Sequence, residues 1–411
     1  MKITKERSAE IRRDLLQSTA SEIRRVGFGS ITMAQIAANC DVTVSTITNR
    51  FRNKFDLVQA LISEVIEPQL GEQFTARSRA FWAGDDHIPE IDSESMSLVS
   101  ELVLGAVHTP QLRPIISSFL SNRSRVTAAF RDEAITEGRA RSGVDHAGQI
   151  VMQMATLIGH SIASLSSNPA ADALDQITSL TQMTLLDIPF TRPLPVVKKY
   201  LPRKMPTLPE IEIDIDETGR LLLDSSRAMF IANGYEASNL QEIARNVGMT
   251  TGSIYARFAG KADLMRVLMA ETVGPESFSA TEQTARRLPA SGADSDDTLG
   301  AYIRNRLGDP RLGDQYAIGL VARDAARREP EVAKVLGPSQ DLHLVLLADI
   351  LRSLQTDGSF RSDLDAESFA WWVLCFPIGV NLLGNLFPAS RGIDWNSILR
   401  FTTEALQTQP E

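Results

Sequence analysis

The chain predicts an all-α fold built from two copies of one helical unit, on three observations. Residues 239–264 write two short helices joined by a tight turn. The same pattern stands 207 residues earlier without a gap, and the stretch after each copy reads as amphipathic or apolar helices in a common register.

In chain order, Lys2, Lys5, Arg7, Arg12 and Arg13 precede a helical stripe of Ile11, Leu15, Leu16, Ala20 and Ile23. Singly these cations are a solvated face; grouped beside a recognition helix they would contact phosphate, adding affinity without sequence information. Thr32 followed by Gln35 forms a capping box for a helix that buries Ile36 and Ala37. Asp41 stands at the turn, where a left-handed residue is needed and Asp is tolerated. A second helix from a Thr43 cap points Ile47 and Phe51 inward and leaves Val44, Ser45, Thr46, Thr48 and Asn49 outward. Asn53 with Asp56 caps the next helix, and Lys54 falls in its first turn, where a cation and free N–H groups can face one phosphate. That helix is expected to run from Leu57 to Phe81, past Pro68.

The second copy is clearer. Leu240, Ile243, Ala244 and Val247 share one helix face, Asn239 with Glu242 caps it, and Gly248 supplies the positive φ of the turn. A Thr250 cap then starts a helix that turns Ile254 and Phe258 inward and Thr251, Gly252, Ser253, Tyr255 and Ala256 outward. Two short helices with a small polar outer face make a helix-turn-helix, whose second helix enters a major groove. The spaced set Ile243-Ala244, Gly248, Gly252-Ser253-Ile254-Tyr255, Phe258, Lys261 and Leu264 resembles the TetR family of transcription regulators.

That resemblance implies, for each unit, a three-helix DNA-binding domain followed by a helical ligand-binding and dimerisation domain whose last two helices enter a four-helix bundle. It also implies DNA contacts from Thr32, Thr43 to Thr46, Thr48, Asn49 and Lys54 in the first head. In the second they would come from Asn239, Thr250 to Ser253, Tyr255, Ala256 and Lys261. The first copy departs from the family pattern with Asp41 for the turn glycine, Ser45 for the small glycine and Thr48 for the aromatic phosphate contact. Because the outward residues differ, the two heads are expected to read unlike half-sites.

Identities between the copies over Gly27–Leu57 number eleven of 31, among them Gly27/Gly234, Ile47/Ile254, Arg50/Arg257 and Lys54/Lys261. Beyond the motif the offset becomes 220, pairing Gly138 with Gly358, Arg141-Ser142 with Arg361-Ser362, Asp145 with Asp365 and Gly159 with Gly379. About 13 extra residues therefore sit between Pro275 and Gly300, where PASGADSDD reads as a loop. The expected divisions are 1–60 and 211–267 for the heads, 61–187 and 268–411 for the domains that follow them, and a linker over 188–210. Six prolines between Ile188 and Pro209 exclude a helix there; a solvated, extended connector of up to about 65 Å is expected. It holds the halves at high effective concentration, so pairing within one chain is favoured: an intrachain pseudo-dimer, with further homodimerisation left open.

A hydrophobic share of 43% and a charged share of 23% are ordinary for a soluble protein. The net charge of −9 excludes general coating of nucleic acid. Yet residues 1–57 hold ten Lys/Arg against six Asp/Glu, and residues 220–268 six against four, so the heads are locally basic. Cys40 and Cys375, far apart, fit a reducing cytoplasm, with Cys40 a small filler rather than a redox switch. The uncharged run Ser368–Ser390 passes a hydropathy test, but Pro377 and two asparagines interrupt it, so a core helix and no membrane is expected. Its aromatics Phe369, Trp372 and Phe376 read mainly as core, and as neighbours of a small-molecule effector if a pocket forms there. No nucleophile elbow, P-loop or dinucleotide motif occurs and no histidine has ligand spacing, so neither an enzyme nor a cofactor is expected. The reading is a DNA-binding regulator, a repressor released by a small molecule; the rival is a ligand-binding or interaction module whose first head has lost DNA.

Overall fold

The computed structural model describes residues 5–165, 172–198, 204–208, 215–272, 310–387 and 393–410. Apart from one isolated bridge between Ala140 and Leu186, the regular structure of these residues is helical. The loop expected between Pro275 and Gly300 lies outside the described residues.

The first unit opens with α1 (Lys5–Val26), which buries the predicted stripe Ile11, Leu15, Leu16, Ala20 and Ile23. After a short 3₁₀ turn at Phe28–Ser30 come α2 (Met33–Asn39), α3 (Val44–Thr48) and α4 (Lys54–Leu61). A π turn at Ile62–Ile66 carries α4 into α5 (Glu67–Ala83), with Pro68 in the first turn of α5. Proline lacks an N–H and crowds the carbonyl four residues back, so the wider turn lets the rod continue past it. Then follow α6 (Ser93–His108), α7 (Arg113–Thr136), α8 (His146–Ala163) and α9 (Asp175–Leu185).

The second unit repeats this order with α10 (Glu217–Asn233), α11 (Leu240–Asn246), α12 (Thr251–Tyr255), α13 (Lys261–Thr272), α14 (Pro310–Ala326), α15 (Pro330–Thr356), α16 (Ala366–Leu386) and α17 (Trp395–Gln407). The internal repeat is visible in local chemistry. Asp145 caps α8 through the Gly148 amide and Asp365 caps α16 through that of Ser368. Gly138 and Gly358 both take positive φ after long helices, and the amides of Arg141 and Arg361 donate to Leu185 O and Leu406 O, each at 2.8 Å.

The two units meet along α8 and α16, and one apolar core runs through both. Gly159 and Gly379 set how close these helices come. A Cβ on Gly159 would lie 2.0 Å from Cys375 O, and one on Gly379 1.8 Å from Ala155 O. Since residues 155 and 375 are themselves 220 apart, these two contacts are one contact seen twice. Three side-chain links reinforce the seam. Trp371 Nε1 donates to His160 Nδ1 at 2.7 Å, and Gln340 Nε2 donates to Ala163 O at 3.0 Å. Gln176 donates to Asp363 O and accepts from the Asp365 amide. The segment Ala366–Gly384 is apolar enough to span a membrane by length and composition, but 78% of that window is buried inside the protein.

One expectation needs correction. The linker is non-helical over its described residues, but its first part is docked rather than solvated. Leu194 and Val197 are buried, the Leu194 amide donates to Asp363 Oδ2 at 2.7 Å, and the fully buried Arg361 donates to the carbonyls of Phe190 and Arg192. Its counterpart Arg141 stacks on the Phe190 ring and donates to Ile188 O, so duplicated arginines grip the connector from both units. Burial of apolar side chains outweighed the proline-rich composition. Phe369, Trp372 and Phe376 were expected mainly as core, and as effector neighbours if a pocket forms there. All three are buried and pack on one another, at ring separations of 6.0 and 5.8 Å. A nearby cavity opens against Val373, Leu374 and Ile378 of α16 and Met269 of α13.

The seam yields two tests. Gly379→Ala forces a side chain into helix backbone that cannot yield, and should destabilise the chain by about 3 kcal/mol, read as a lowered urea midpoint. His160 accepts a hydrogen bond on Nδ1 and so is neutral, and burial lowers its pKa from 6.5 to about 4. The unfolded imidazole therefore protonates first as pH falls. The stabilisation is complete above about pH 6.5 and lost toward pH 4, to an extent of at most about 3 kcal/mol. Wild type should lose more stability between pH 7 and 4.5 than His160→Gln, which keeps an acceptor but does not titrate.

Candidate nucleic-acid interface

Each head is a turn held between two capped helices. In the first, Thr32 Oγ1 accepts from the Gln35 amide, Thr43 Oγ1 from the Thr46 amide, and Asn53 Oδ1 from those of Phe55 and Asp56. Asp41 takes φ 52°, the only non-glycine positive φ among the described residues, and Gly248 at φ 72° is its counterpart. In the second head Asn239 caps α11 through the Gln241 amide, whereas Thr250 occupies the cap position of α12 without a side-chain capping bond. The expected capping boxes are half made. Gln35 reaches Glu22 and Glu242 reaches Arg245 instead of returning to the caps.

Ile47 and Ile254, both fully buried, pin α3 and α12 to their heads. Val44, Ser45, Thr48 and Asn49 are exposed on one; Gly252, Tyr255 and Ala256 on the other; Thr46, Thr251 and Ser253 are half-buried. Tyr255 is 61% exposed and Val44 48%, large side chains left outside a core that had room to take neighbours. Adding a Cβ at Gly252 would meet only Thr250 Oγ1 at 3.5 Å, so Ser45 in the first copy is an accommodated change. The first helix is chemically self-engaged: Thr43 Oγ1 lies 2.9 Å from both Ser45 Oγ and Thr46 Oγ1, and Thr48 Oγ1 donates to Val44 O at 3.1 Å.

The two lysines expected to face phosphate also bond carbonyls within their own heads. Lys261 Nζ donates to Tyr235 O at 2.9 Å and to Glu236 O at 3.4 Å, and sits 4.4 Å from the Tyr235 ring centre. Lys54 is placed alike, 3.5 Å from the carbonyls of Phe28 and Gly29 and 4.5 Å from the Phe28 ring. Burial lowers both ammonium pKa values. Each lysine thus closes the turn that follows the first helix of its head. Arg12, read as a phosphate contact, forks onto Glu64 at 2.6 and 2.9 Å and stacks on Phe51, because a nearby carboxylate and ring fit a planar guanidinium. Lys5 and Arg13 remain exposed, while Lys2 lies outside the described residues.

The duplicated arginines Arg50 and Arg257 escaped a role in the sequence reading. Arg50 Nη1 donates to Thr46 O at 2.8 Å, and Arg257 Nη1 to Ser253 O at 3.2 Å, so each satisfies a terminal carbonyl of its recognition helix. Arg257 also forks onto Asp216, the cap of α10, and Arg50 reaches Ser8 on α1. Their survival in both copies was the signal available.

The heads are also cross-docked. Arg327 on the second unit pairs with buried Glu101 of α6 at 2.5 Å and donates to Arg24 O, and Arg328 donates to Val26 O, at the end of α1. In return the His108 ring packs 3.2 Å from where a Cβ of Gly234 would stand. Gly27 and Gly234, 207 apart, have φ of 79° and 80°, and a cavity of about 200 Å³ between them is lined by Phe28 and Lys54 of one head and Tyr235 and Glu236 of the other. The heads therefore flank one cavity on the same end of the scaffold.

The family model for bacterial regulatory proteins of the tetR family matches residues 15–61 and 222–268, two stretches separated by 207 at both ends. Among similar proteins, the HTH-type transcriptional regulator SrpR of Pseudomonas putida is 31% identical over 68 residues, 16% of this chain and 32% of SrpR. The HTH-type transcriptional regulator TtgW of the same species is 32% identical over 65 residues, 16% of this chain and 48% of TtgW. An HTH-type transcriptional regulator of Mycobacterium tuberculosis is 25% identical over 161 residues, 39% of this chain and 78% of the relative. The chain thus spans between a third and a half of the length of the first two. The chain thus carries two DNA-binding domains of the tetR family in tandem, in the register of its own internal repeat.

Proposed function

We propose that this protein is a sequence-specific, DNA-binding transcriptional regulator acting in the cytoplasm, an intrachain pseudo-dimer that represses until a small molecule releases it. The observation that carries the reading is the pairing of two unlike, exposed recognition helices, α3 and α12, on one scaffold through the Gly159–Gly379 seam. A groove-reading pair needs its heads about one helical turn of DNA apart, and a rigid seam supplies that constraint. Release follows if a ligand favours an arrangement of the scaffold that DNA does not, since it shifts the equilibrium only by its differential affinity.

The DNA-facing set proposed is Val44, Ser45, Thr48 and Asn49 on the first head, and Thr251, Gly252, Ser253, Tyr255 and Ala256 on the second. Thr32, Thr43, Thr46, Asn239 and Thr250 hold the helix ends beside the phosphates. Lys54 and Lys261 act mainly by fixing the turn. A second reading, in which the first head reads no bases, is favoured by the mutual bonding of Thr43, Ser45, Thr46 and Thr48.

Selection of bound sequences from random DNA should return two unlike half-sites; a perfect inverted repeat would contradict the two-headed reading. In gel shifts on the selected site, Tyr255→Phe should weaken binding roughly fivefold by loss of one hydroxyl contact. Asn49→Ala should relax base preference at one position of the first half-site by about 1–3 kcal/mol. If Asn49→Ala changes nothing while Tyr255→Phe weakens binding, the second reading holds.

A further inference from the structure

Between α13, α14, α15 and α16 lies a cavity of about 120 Å³ whose walls are of two kinds. Met269, Leu336, Leu347, Val373 and Ile378 supply apolar surface, whereas Arg323, Ser339 and Gln340 bring polar groups to one side. Arg323 is 8% exposed and makes two hydrogen bonds, from Nη1 to Gly319 O and from Nη2 to Gln340 Oε1, both at 3.1 Å. Its Nε is buried without any partner, and no carboxylate among the described residues pairs with the guanidinium.

A buried cation held only by neutral acceptors is costly, and the cost is offset when an anion arrives with matching planar geometry. Burial here pushes the Arg323 pKa down to about 10, a sign of the missing counter-charge. The other buried arginines use their donors differently: Arg361 is paired with Asp363 and Arg327 with Glu101. The first unit's corresponding cavity, against Phe74, Ile150, Met154 and Leu157, places Arg77 on Pro89 O and Thr178 Oγ1, within the field of Asp175 and Glu90. The uncompensated charge belongs to the second unit.

We infer that the second-unit cavity binds a short-chain carboxylate, its oxygens on the guanidinium of Arg323 and its alkyl body against Leu336, Leu347 and Ile378. This deepens the reading of the chain as a ligand-responsive regulator by naming the class of ligand. Size limits the body: an apolar cavity of about 150 Å³ takes a benzene-sized molecule, so about four to six carbons fit here. Binding has a local consequence. A carboxylate on Nη2 takes the place of Gln340 Oε1, and Gln340 is the residue whose Nε2 bonds Ala163 O across the seam.

The test uses the full chain without DNA, following tryptophan fluorescence and thermal midpoint during titration with sodium hexanoate, hexanamide, hexan-1-ol and acetate. Hexanoate is expected to saturate and raise the midpoint, with hexanamide, hexanol and acetate each roughly tenfold weaker or worse, since one set lacks the charge and the other the apolar body. Arg323→Met should abolish the preference of acid over amide. Leu374→Trp, which fills the cavity from a half-exposed wall position, should block hexanoate while leaving the fold intact and so serves if Arg323→Met does not fold. Equal binding of acid and alcohol, hexanoate binding that survives Arg323→Met or Leu374→Trp, or no binding of hexanoate at all would each overturn the inference. Because DNA is absent from the titration, its failure leaves the operator reading untouched, and loss of that reading in a gel shift leaves the titration valid.

Discussion

The backbone contact between α8 and α16 is the constraint from which the rest follows. Two glycines, 220 residues apart, remove the side chains that would hold these helices apart, and each then receives a carbonyl of the opposite helix where a Cβ would have been. Backbone contact of this kind cannot slide: the four atoms that matter are fixed to the helix axes, not to flexible side chains. Every link around it depends on that register. The His160–Trp371 and Gln340–Ala163 bonds, and the double bond from Gln176 to the 363–365 loop, exist only at this spacing. The same register brings Arg141 and Arg361 to opposite sides of the connector, so a segment without secondary structure of its own becomes part of the core.

At the other end the units are tied more loosely and by different chemistry. Charged residues at the end of α14 reach the last turn of α1, while His108 at the end of α6 meets Gly234. These contacts are pseudo-symmetric in place but not in kind, arginines on one side and a half-buried imidazole on the other. Polar contacts beside a cavity of about 200 Å³ leave the heads freer to reorient than the packed seam does. One end is thus held by backbone contact and the other by polar side chains. Arg323 lies one residue before Asp324, whose carboxylate holds Arg328 against the first head, so the second-unit cavity and the head contacts share a helix.

Much of this was legible in the sequence because the chain contains its own comparison. Positions alike in both copies proved to be scaffolding: Ile47 and Ile254 in the cores, Asp145 and Asp365 as caps, Gly159 and Gly379 at the seam, Lys54 and Lys261 on the turn carbonyls. The carbonyls that receive Lys54 and Lys261 and the carboxylate that receives Arg12 were not legible, because one-dimensional spacing places a cation near a helix N-terminus but does not reveal groups brought near by folding. The cavity beside α16 was hidden for a related reason. Helical spacing shows that Phe369, Trp372 and Phe376 share a face, but which face borders empty space depends on α13 and α14. The docked linker was hidden by its composition, since proline content speaks only to backbone conformation and not to whether Leu194 finds a core.

The contrast between shared and divergent positions bears on what the duplication permits. The residues of α3 and α12 are unlike at every outward position, while the residues that hold those helices in place are largely the same. In a symmetric dimer any change in a reading residue appears twice and must suit both half-sites. Within one chain each head changes alone, and the cost of an unfavourable contact is confined to one half-site of about 1–3 kcal/mol per base pair. The fixed seam keeps the divergent heads on a common frame, and the same covalent asymmetry extends to the cavities, where Arg77 has acidic neighbours and Arg323 has none. Unlike pockets and unlike heads are thus two results of one physical condition, a repeated unit whose two copies share a single chain.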